Sequence, residues 1–284
     1  MDLFIYDWSI DEYNYKTRIR IWGLNQLNKS ICLNITNFTP YVYLELPNKH
    51  VNWIRSNYNL LISKLKNFID WNSYKPIKTQ LCMKKKLYYA NIDPEYNYKT
   101  FPFILLQFKS VKHISSLKYK LRKSSNMIGD MRVKLHEQSA TPVLQLTCLK
   151  KIPTTGWVKF NGQRILEDEC ETYCNEEYNV DCNHIFRNDN MDVVPQPYVL
   201  SFDIEVNSHN INKFPTGEHI DDKIFQISCI FSVQGTDECE NILLTFLSGT
   251  DLYGSLTPCK LPLQAKPTFN FFELISLNHF FIIS

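Results

Sequence analysis

The sequence predicts a mixed α+β fold, and three observations carry that expectation. Runs with period-two apolar alternation recur along the chain, two stretches place apolar residues at helical spacing, and the strands and helices are interleaved. With 284 residues, 44% of them hydrophobic and 14% aromatic, the chain can bury the core of one large domain or two ordinary ones.

Taken in order, residues 1–48 read as strands. "MDLFIYDWSIDE" is acidic and strand-like and has none of the features of a secretory signal. "RIRIWGLN" and "ICLNITNF" alternate or run apolar, and "TPYVYLELP" ends at a proline. In "VNWIRSNYNLLISKLKNFI", Ile54, Tyr58, Leu61, Leu65, Phe68 and Ile69 recur at helical spacing, the pattern of a core-facing stripe. "KKKLYYANI" and "FPFILLQF" read as strands. "SVKHISSLKYKLRKSS" reads as a basic helix with Ile114, Leu117 and Leu121 on its apolar face. A strand pair is expected around "MRVKLHE" and "TPVLQLTCL", ending in "TTGWVKF". From Ile165 to Asp192 the chain turns acidic and polar, as a loop does. "PYVLSFDIEV", "KIFQISCIFSV" and "NILLTFL" then predict an antiparallel meander of three strands. After about Leu247 the pattern decays into an almost uncharged tail rich in Phe and Ile.

Composition narrows the function classes. No apolar run reaches the length of a membrane span, so no membrane partner is expected. The nine cysteines are scattered through a chain too long to need staples, which fits a reducing, intracellular compartment. Charge is unevenly divided: residues 1–160 carry 25 Lys and Arg against 10 Asp and Glu, and residues 161–284 carry 6 against 19. Such asymmetry fits a half that faces a polyanion joined to an acidic half able to hold divalent cations, or a dipolar protein with solvated faces. Lys112, Lys118, Lys120, Arg122 and Lys123 on the basic helix could track phosphates, or be a solvated helix face. Lys84, Lys85 and Lys86 beside Tyr88 and Tyr89 mix cation and ring as single-stranded nucleic acid favours. Cys170, Cys174, Cys182 and His184 lie close in sequence, so zinc is considered, but their spacing lacks a paired C-x-x-C knuckle.

The densest chemistry lies in "VLSFDIEV". Successive strand side chains alternate faces, so Asp203 and Glu205 share one side while Leu200, Phe202, Ile204 and Val206 share the other. Two carboxylates about 7 Å apart repel unless water or a cation lies between them. A half-buried strand with a solvated acidic face and a metal site both remain open on these residues alone.

Four landmarks in order resemble the N-terminal part of the family B DNA polymerases, the replicative enzymes of eukaryotes and large nucleocytoplasmic DNA viruses. They are "NFTPYVYLELP" for an F-x-P-Y segment, "TGWVKF" for a G-W element, "VLSFDIEV" for the first exonuclease motif, and "FPTGEHIDDKIFQIS" for the loop and strand that follow it. The resemblance spans about 250 residues. It implies a template-contacting N-terminal domain over 1–196, the start of a ribonuclease-H-like 3′→5′ exonuclease domain over 197–254, and an off-pattern tail over 255–284. It also implies that Asp203 and Glu205 are catalytic metal ligands for Mg²⁺ or Mn²⁺, since phosphodiester hydrolysis can use two such ions about 4 Å apart. The implied partners are primer-template, a single-stranded 3′ end and the remainder of the polymerase, in the nucleus or at a viral replication site.

The second and third exonuclease motifs and the polymerase palm signatures do not occur in this sequence, so the expectation is a first quarter of such an enzyme. Two other readings stand beside it. One is a nucleic-acid-binding module or split subunit without catalysis of its own. The other is a self-sufficient nuclease completed by Asp237, Glu240 or Asp251.

Overall fold

A computed structural model of the chain describes residues 1–45, 55–69, 74–86, 100–245 and 280–283. Ile54, Tyr88, Tyr89 and Asp251 lie outside the described residues, as does most of the tail. Three sheets carry the architecture, and their core patterns follow from the alternation in the sequence.

The first sheet has seven strands. β1 (Asp2–Tyr13), β2 (Lys16–Leu24) and β3 (Ser30–Thr36) form an antiparallel meander. β10 (Gly156–Phe160) pairs with β1, and β13 (Ile185–Arg187) closes that edge. On the other edge β12 (Glu176–Asp181) runs parallel to β3 and pairs with β11 (Gln163–Arg164). Leu3, Ile5, Ile19, Ile21, Leu33, Val158 and Phe160 fill the core of this sheet together with Leu146 and Ile152. At Gly23 the strands approach too closely for any side chain: a Cβ there would lie 2.1 Å from the Phe4 carbonyl oxygen, opposite the irregular pairing of β1 between Ile5 and Asp7.

The second sheet orders β5 (Lys78–Lys84), β6 (Phe101–Gln107), β4 (Tyr41–Glu45) and β9 (Lys134–His136), all antiparallel. Two helices cover one face. α1 (Arg55–Phe68) buries Leu61 and Leu65, and α2 (Val111–Lys123) buries Ile114, Leu117 and Leu121. Ser110 caps α2, its hydroxyl accepting from the Lys112 amide at 3.0 Å. A small hairpin, β7 (Met127–Ile128) with β8 (Met131–Arg132), follows α2. The third sheet sets β14 (Tyr198–Asn207) between β15 (Lys223–Val233) and β17 (Phe280–Ile283), with β16 (Cys239–Thr245) beyond β15. β14, β15 and β16 form the expected antiparallel meander, and β17 joins β14 in parallel. No helix among the described residues is long and apolar enough to cross a membrane.

Two expectations need correction, and a third falls largely outside the described residues. "TPVLQLTCL" is not a strand but α3 (Pro142–Lys150). Thr141 caps it by accepting from the Leu144 amide, Pro142 sits in its first turn where no amide is needed, and Lys151 ends it in the left-handed region. These terminal signals outweigh the β-branched and apolar content. Of the strand expected at "KKKLYYANI", residues 87–92 lie outside the described residues, and β5 ends at Lys84, where that stretch starts. The supposed loop from Ile165 to Asp192 contains β12 and β13, so much of the acidic segment belongs to the first sheet.

β12 is held by a buried carboxylate. Glu177 is 1% exposed. It accepts from Asn34 Nδ2 at 2.7 Å, from the amides of Glu171 and Thr172 at 3.1 and 3.2 Å, and from the Thr172 hydroxyl at 3.1 Å. Beside it, Arg18 makes a bidentate pair with Asp11 and also reaches Glu171, which Arg20 contacts as well. Glu177→Ala leaves these donors unpaired in a dry seam and should destabilise the chain by roughly 2–4 kcal/mol, with Glu177→Gln costing less. Urea unfolding, read as the midpoint at constant slope, checks this; equal midpoints for Ala and wild type would contradict the role given to Glu177.

Candidate functional site

The connection into the third sheet is strapped to the first. The Trp157 indole donates to the Val193 carbonyl at 2.7 Å and meets Phe4 edge-on at 5.5 Å. Tyr6 donates its hydroxyl to the Pro195 carbonyl at 2.5 Å, and burial pushes that phenol up to about 12. The Gln196 amide donates to Asn28 Oδ1. The G-W element therefore has a local reason: Gly156 adopts φ +134°, a backbone region that disfavours a side chain, and Trp157 holds the chain that leads to β14.

On β14, Asp203 and Glu205 point to the same face and both are exposed. Directly across on β15 stand Ser228 and Gln226, so the neighbouring strand is polar where the acids lie. The pairing of β14 with β15 is irregular between Glu205 and Val206. As acceptor-only oxygen ligands on one strand, the two acids match a hard divalent cation in kind. They do not match it in number: among the described residues no group of three His, Cys, Asp or Glu side chains converges as a metal site. Asp237 and Glu240 lie at the other end of the meander, where Ser232 pairs with Cys239 and Phe231 with Glu240.

After β14 the chain makes an ordered connection from Ser208 to Asp222. Asp222 Oδ1 accepts from the His209 amide and from His209 Nδ1, each at 2.7 Å, and Oδ2 accepts from the Thr216 amide at 2.7 Å. The His209 ring stacks on His219 at 3.5 Å with 10° between planes.

The basic residues singled out from sequence are less available than expected. Lys86 pairs with Glu45, which also binds His136 Nε2 at 2.5 Å, and it lies over the Phe101 ring. Lys84 sits over Tyr43 at 5.2 Å, while Lys85 follows beyond the end of β5. On α2, Lys112 pairs with Glu12 at 2.6 Å, Lys118 donates to the Gln138 carbonyl at 3.2 Å, and Lys123 lies over Tyr119. Lys120 is half-buried and Arg122 exposed on the same helix. The cysteine and histidine cluster does not assemble. β12 separates Cys174 from Cys182 by about 20 Å of extended chain, and Cys182 is buried in the core of the first sheet. From sequence His209 and Asp222 read as loop and structural residues rather than metal ligands; what that reading left out is that they bind each other, with Asp222 also holding the Thr216 amide.

Asp222 generates a pH prediction. Its backbone donors from His209 and Thr216, with the His209 ring in support, bring its carboxyl down to about 2. A depressed folded value means the stabilisation is fully present above the unfolded value near 3.8 and is lost as pH falls through about 2. The side-chain carboxyl carbon shift of Asp222, followed by NMR, should titrate with a midpoint near 2; a midpoint near 4 would contradict the hub.

Known proteins place these features. The family model for the exonuclease domain of family B DNA polymerases matches residues 133–269, which include the acid pair and the Asp222 loop. DNA polymerase 120R of Invertebrate iridescent virus 3 is 30% identical over 96% of this chain and 25% of its own length. DNA polymerase 037L of Invertebrate iridescent virus 6 is 33% identical over 86% of this chain and 20% of its own length. The family B DNA polymerase of the hyperthermophilic archaeon Pyrobaculum calidifontis shares the fold, with a TM-score of 0.60 at 14% identity over 87% of this chain and 27% of that one. The chain thus spans about a quarter of the length of these relatives. Four sequence landmarks, the family model and these viral relatives agree: over most of its length the chain is similar to family B DNA polymerases.

Proposed function

We propose that this chain supplies the template-contacting N-terminal domain and the first proofreading motif of a DNA-directed DNA polymerase that acts in DNA replication. The observation that carries the reading is the exposed Asp203 and Glu205 pair on one face of a central strand, inside the span matched by the exonuclease model. The domain division goes with it: residues 1–196 as the N-terminal domain, 197–254 as part of the exonuclease domain, and 255–284 as the tail. The place of action is intracellular, in the nucleus or at a viral replication site.

Asp203 and Glu205 would hold Mg²⁺ or Mn²⁺ as carboxylate ligands, with Ser228 and Gln226 as polar neighbours across the strand pair. Bound ions of this kind supply an activated water and stabilise the departing oxygen in phosphodiester hydrolysis. Two exposed acids on one face of one strand, Asp203 accepting from the Ile204 amide at 3.1 Å, give the chain an orienting part. Lys84, Lys85, Lys118, Lys120, Arg122 and Lys123 would meet the phosphates of a primer-template or a single-stranded 3′ end. Lys86, paired with Glu45, takes a structural part.

A second reading, a nucleic-acid-binding module or split subunit that contributes no catalysis of its own, is favoured by one observation: no third ligand joins the acid pair among the described residues.

Binding of labelled primer-template and single-stranded DNA, followed by fluorescence anisotropy, tests the shared part of both readings. Affinity should fall at least tenfold between about 50 and 200 mM salt, and replacing Lys120, Arg122 and Lys123 by Gln should flatten the slope by roughly two to three counterions. Affinity indifferent to salt would sink nucleic-acid binding. Mn²⁺-dependent shortening of the 3′ end, lost in Asp203→Asn, separates the exonuclease from the binding module.

A further inference from the structure

The connection from Ser208 to Asp222 is ordered in an unusual way. Its large apolar side chains are turned outward, Ile211 being 96%, Phe214 91% and Ile220 86% exposed, so burial of apolar area does not set its shape. Polar contacts do, and they converge on one carboxylate. Asp222 ties the start of the connection through the amide and ring of His209, and its middle through the amide of Thr216. The carboxylate itself is 1% exposed, covered by the loop it ties. A smaller turn is nested within, where the Ser208 hydroxyl reaches the carbonyls of Asn210 and Lys213 at 2.9 and 3.0 Å. Charge-assisted acceptors of two backbone amides are among the stronger contacts an exposed segment can make.

The location gives the hub its consequence. His209 lies four residues beyond Glu205, and between Glu205 and Val206 the pairing of β14 with β15 is irregular. An irregular pair leaves the ladder locally disrupted and re-aims the side chains beside it. At the C-terminal end of β14 the ladder therefore shifts by one residue beside Glu205 and resumes only for the pairs Val206 with Ile224 and Asn207 with Lys223, directly before the connection clamped by Asp222.

We propose that Asp222 is a positioning residue: by tying the 208–222 connection to both of its ends, it fixes the direction of the strand end that carries Glu205. The role rests on the exonuclease reading for its purpose, and on geometry alone for its existence. Asp222 touches no reacting atom and acts through His209 and the strand.

Asp222→Asn and Asp222→Ala in the full chain test it with two separate readouts. Trypsin cleavage after Lys213 should be at least about tenfold faster in Asp222→Ala than in wild type, and intermediate in Asp222→Asn, which keeps one acceptor oxygen. Mn²⁺ affinity, read by paramagnetic broadening of the β14 amides, should drop at least about threefold in Asp222→Ala and less in Asp222→Asn. The control Glu205→Gln should weaken Mn²⁺ while leaving the cleavage rate unchanged. Circular dichroism of each variant confirms that the sheets persist, and Asp222→Asn serves if the alanine variant does not fold. Equal cleavage in all forms overturns the hub. Faster cleavage with unchanged Mn²⁺ affinity overturns the positioning role and leaves only a loop tie. If wild type binds no Mn²⁺ that Glu205→Gln removes, the exonuclease reading fails and the positioning role falls with it, whatever the cleavage ratio.

Discussion

The parallel pairing of β12 with β3 is the constraint on which the rest depends. A parallel partner cannot arrive by a tight turn, so the chain has to travel through the whole second sheet and α3 before it returns. The return is made by a segment dense in acid, and like charges would keep it away from any sheet edge that lacked cations. Arg18 and Arg20 on β2 supply them, binding Glu171 and Asp11, while Glu177 goes fully inside because four donors meet it there. Removing a carboxylate from water is costly unless its lone pairs are satisfied, and here they are. Once β12 is seated, β13 can close the far edge and the strap from Trp157 and Tyr6 fixes where β14 begins.

That dependence changes the meaning of the charge asymmetry. The surplus of cations in residues 1–160 looked like a surface for a polyanion, yet part of it faces the acid of residues 161–187. Arg18 and Arg20 meet Glu171, and within residues 1–160 Lys86 is taken by Glu45 and Lys112 by Glu12. Arg122 and Lys123 on α2 are among the cations that stay exposed. The net charge of a segment is therefore a poor guide to its field until the internal pairs are removed.

Much of the fold was legible in the sequence because period governs burial. The apolar alternation of β2 and β4, the Leu61 and Leu65 stripe of α1 and the Ile114, Leu117 and Leu121 stripe of α2 all bury as their spacing predicts, while β3 is buried on both faces. The failures share a cause: local polarity or apolarity was read without its partners. β12 looked like a loop because Glu177 and Asn179 interrupt its apolar pattern, and only the donors contributed by Asn34 and Thr172 make it a strand. α3 looked like a strand because its apolar residues have no helical face to display, and its caps decided otherwise. The acid pair of β14 was legible from alternation alone; Asp222 and His209 were legible as structural loop residues, but their mutual tie was not, since an aspartate before a strand carries no spacing signal for its partner.

The third sheet stands apart from the other two in how it is held. From residue 198 to residue 244 Cys229 is the one apolar residue that is buried, while Tyr198, Ile204, Ile224 and Ile230 are each 40% exposed or more. A meander of this kind gains little from the hydrophobic effect and stands on its ladder hydrogen bonds, on the strap at its start and on the Asp222 clamp at its turn. Contacts of that type fix direction more than they add stability, because each exchanges with water at small net gain. A pair of carboxylates that must point the same way toward a shared cation needs direction above all, and β14 has it from both ends.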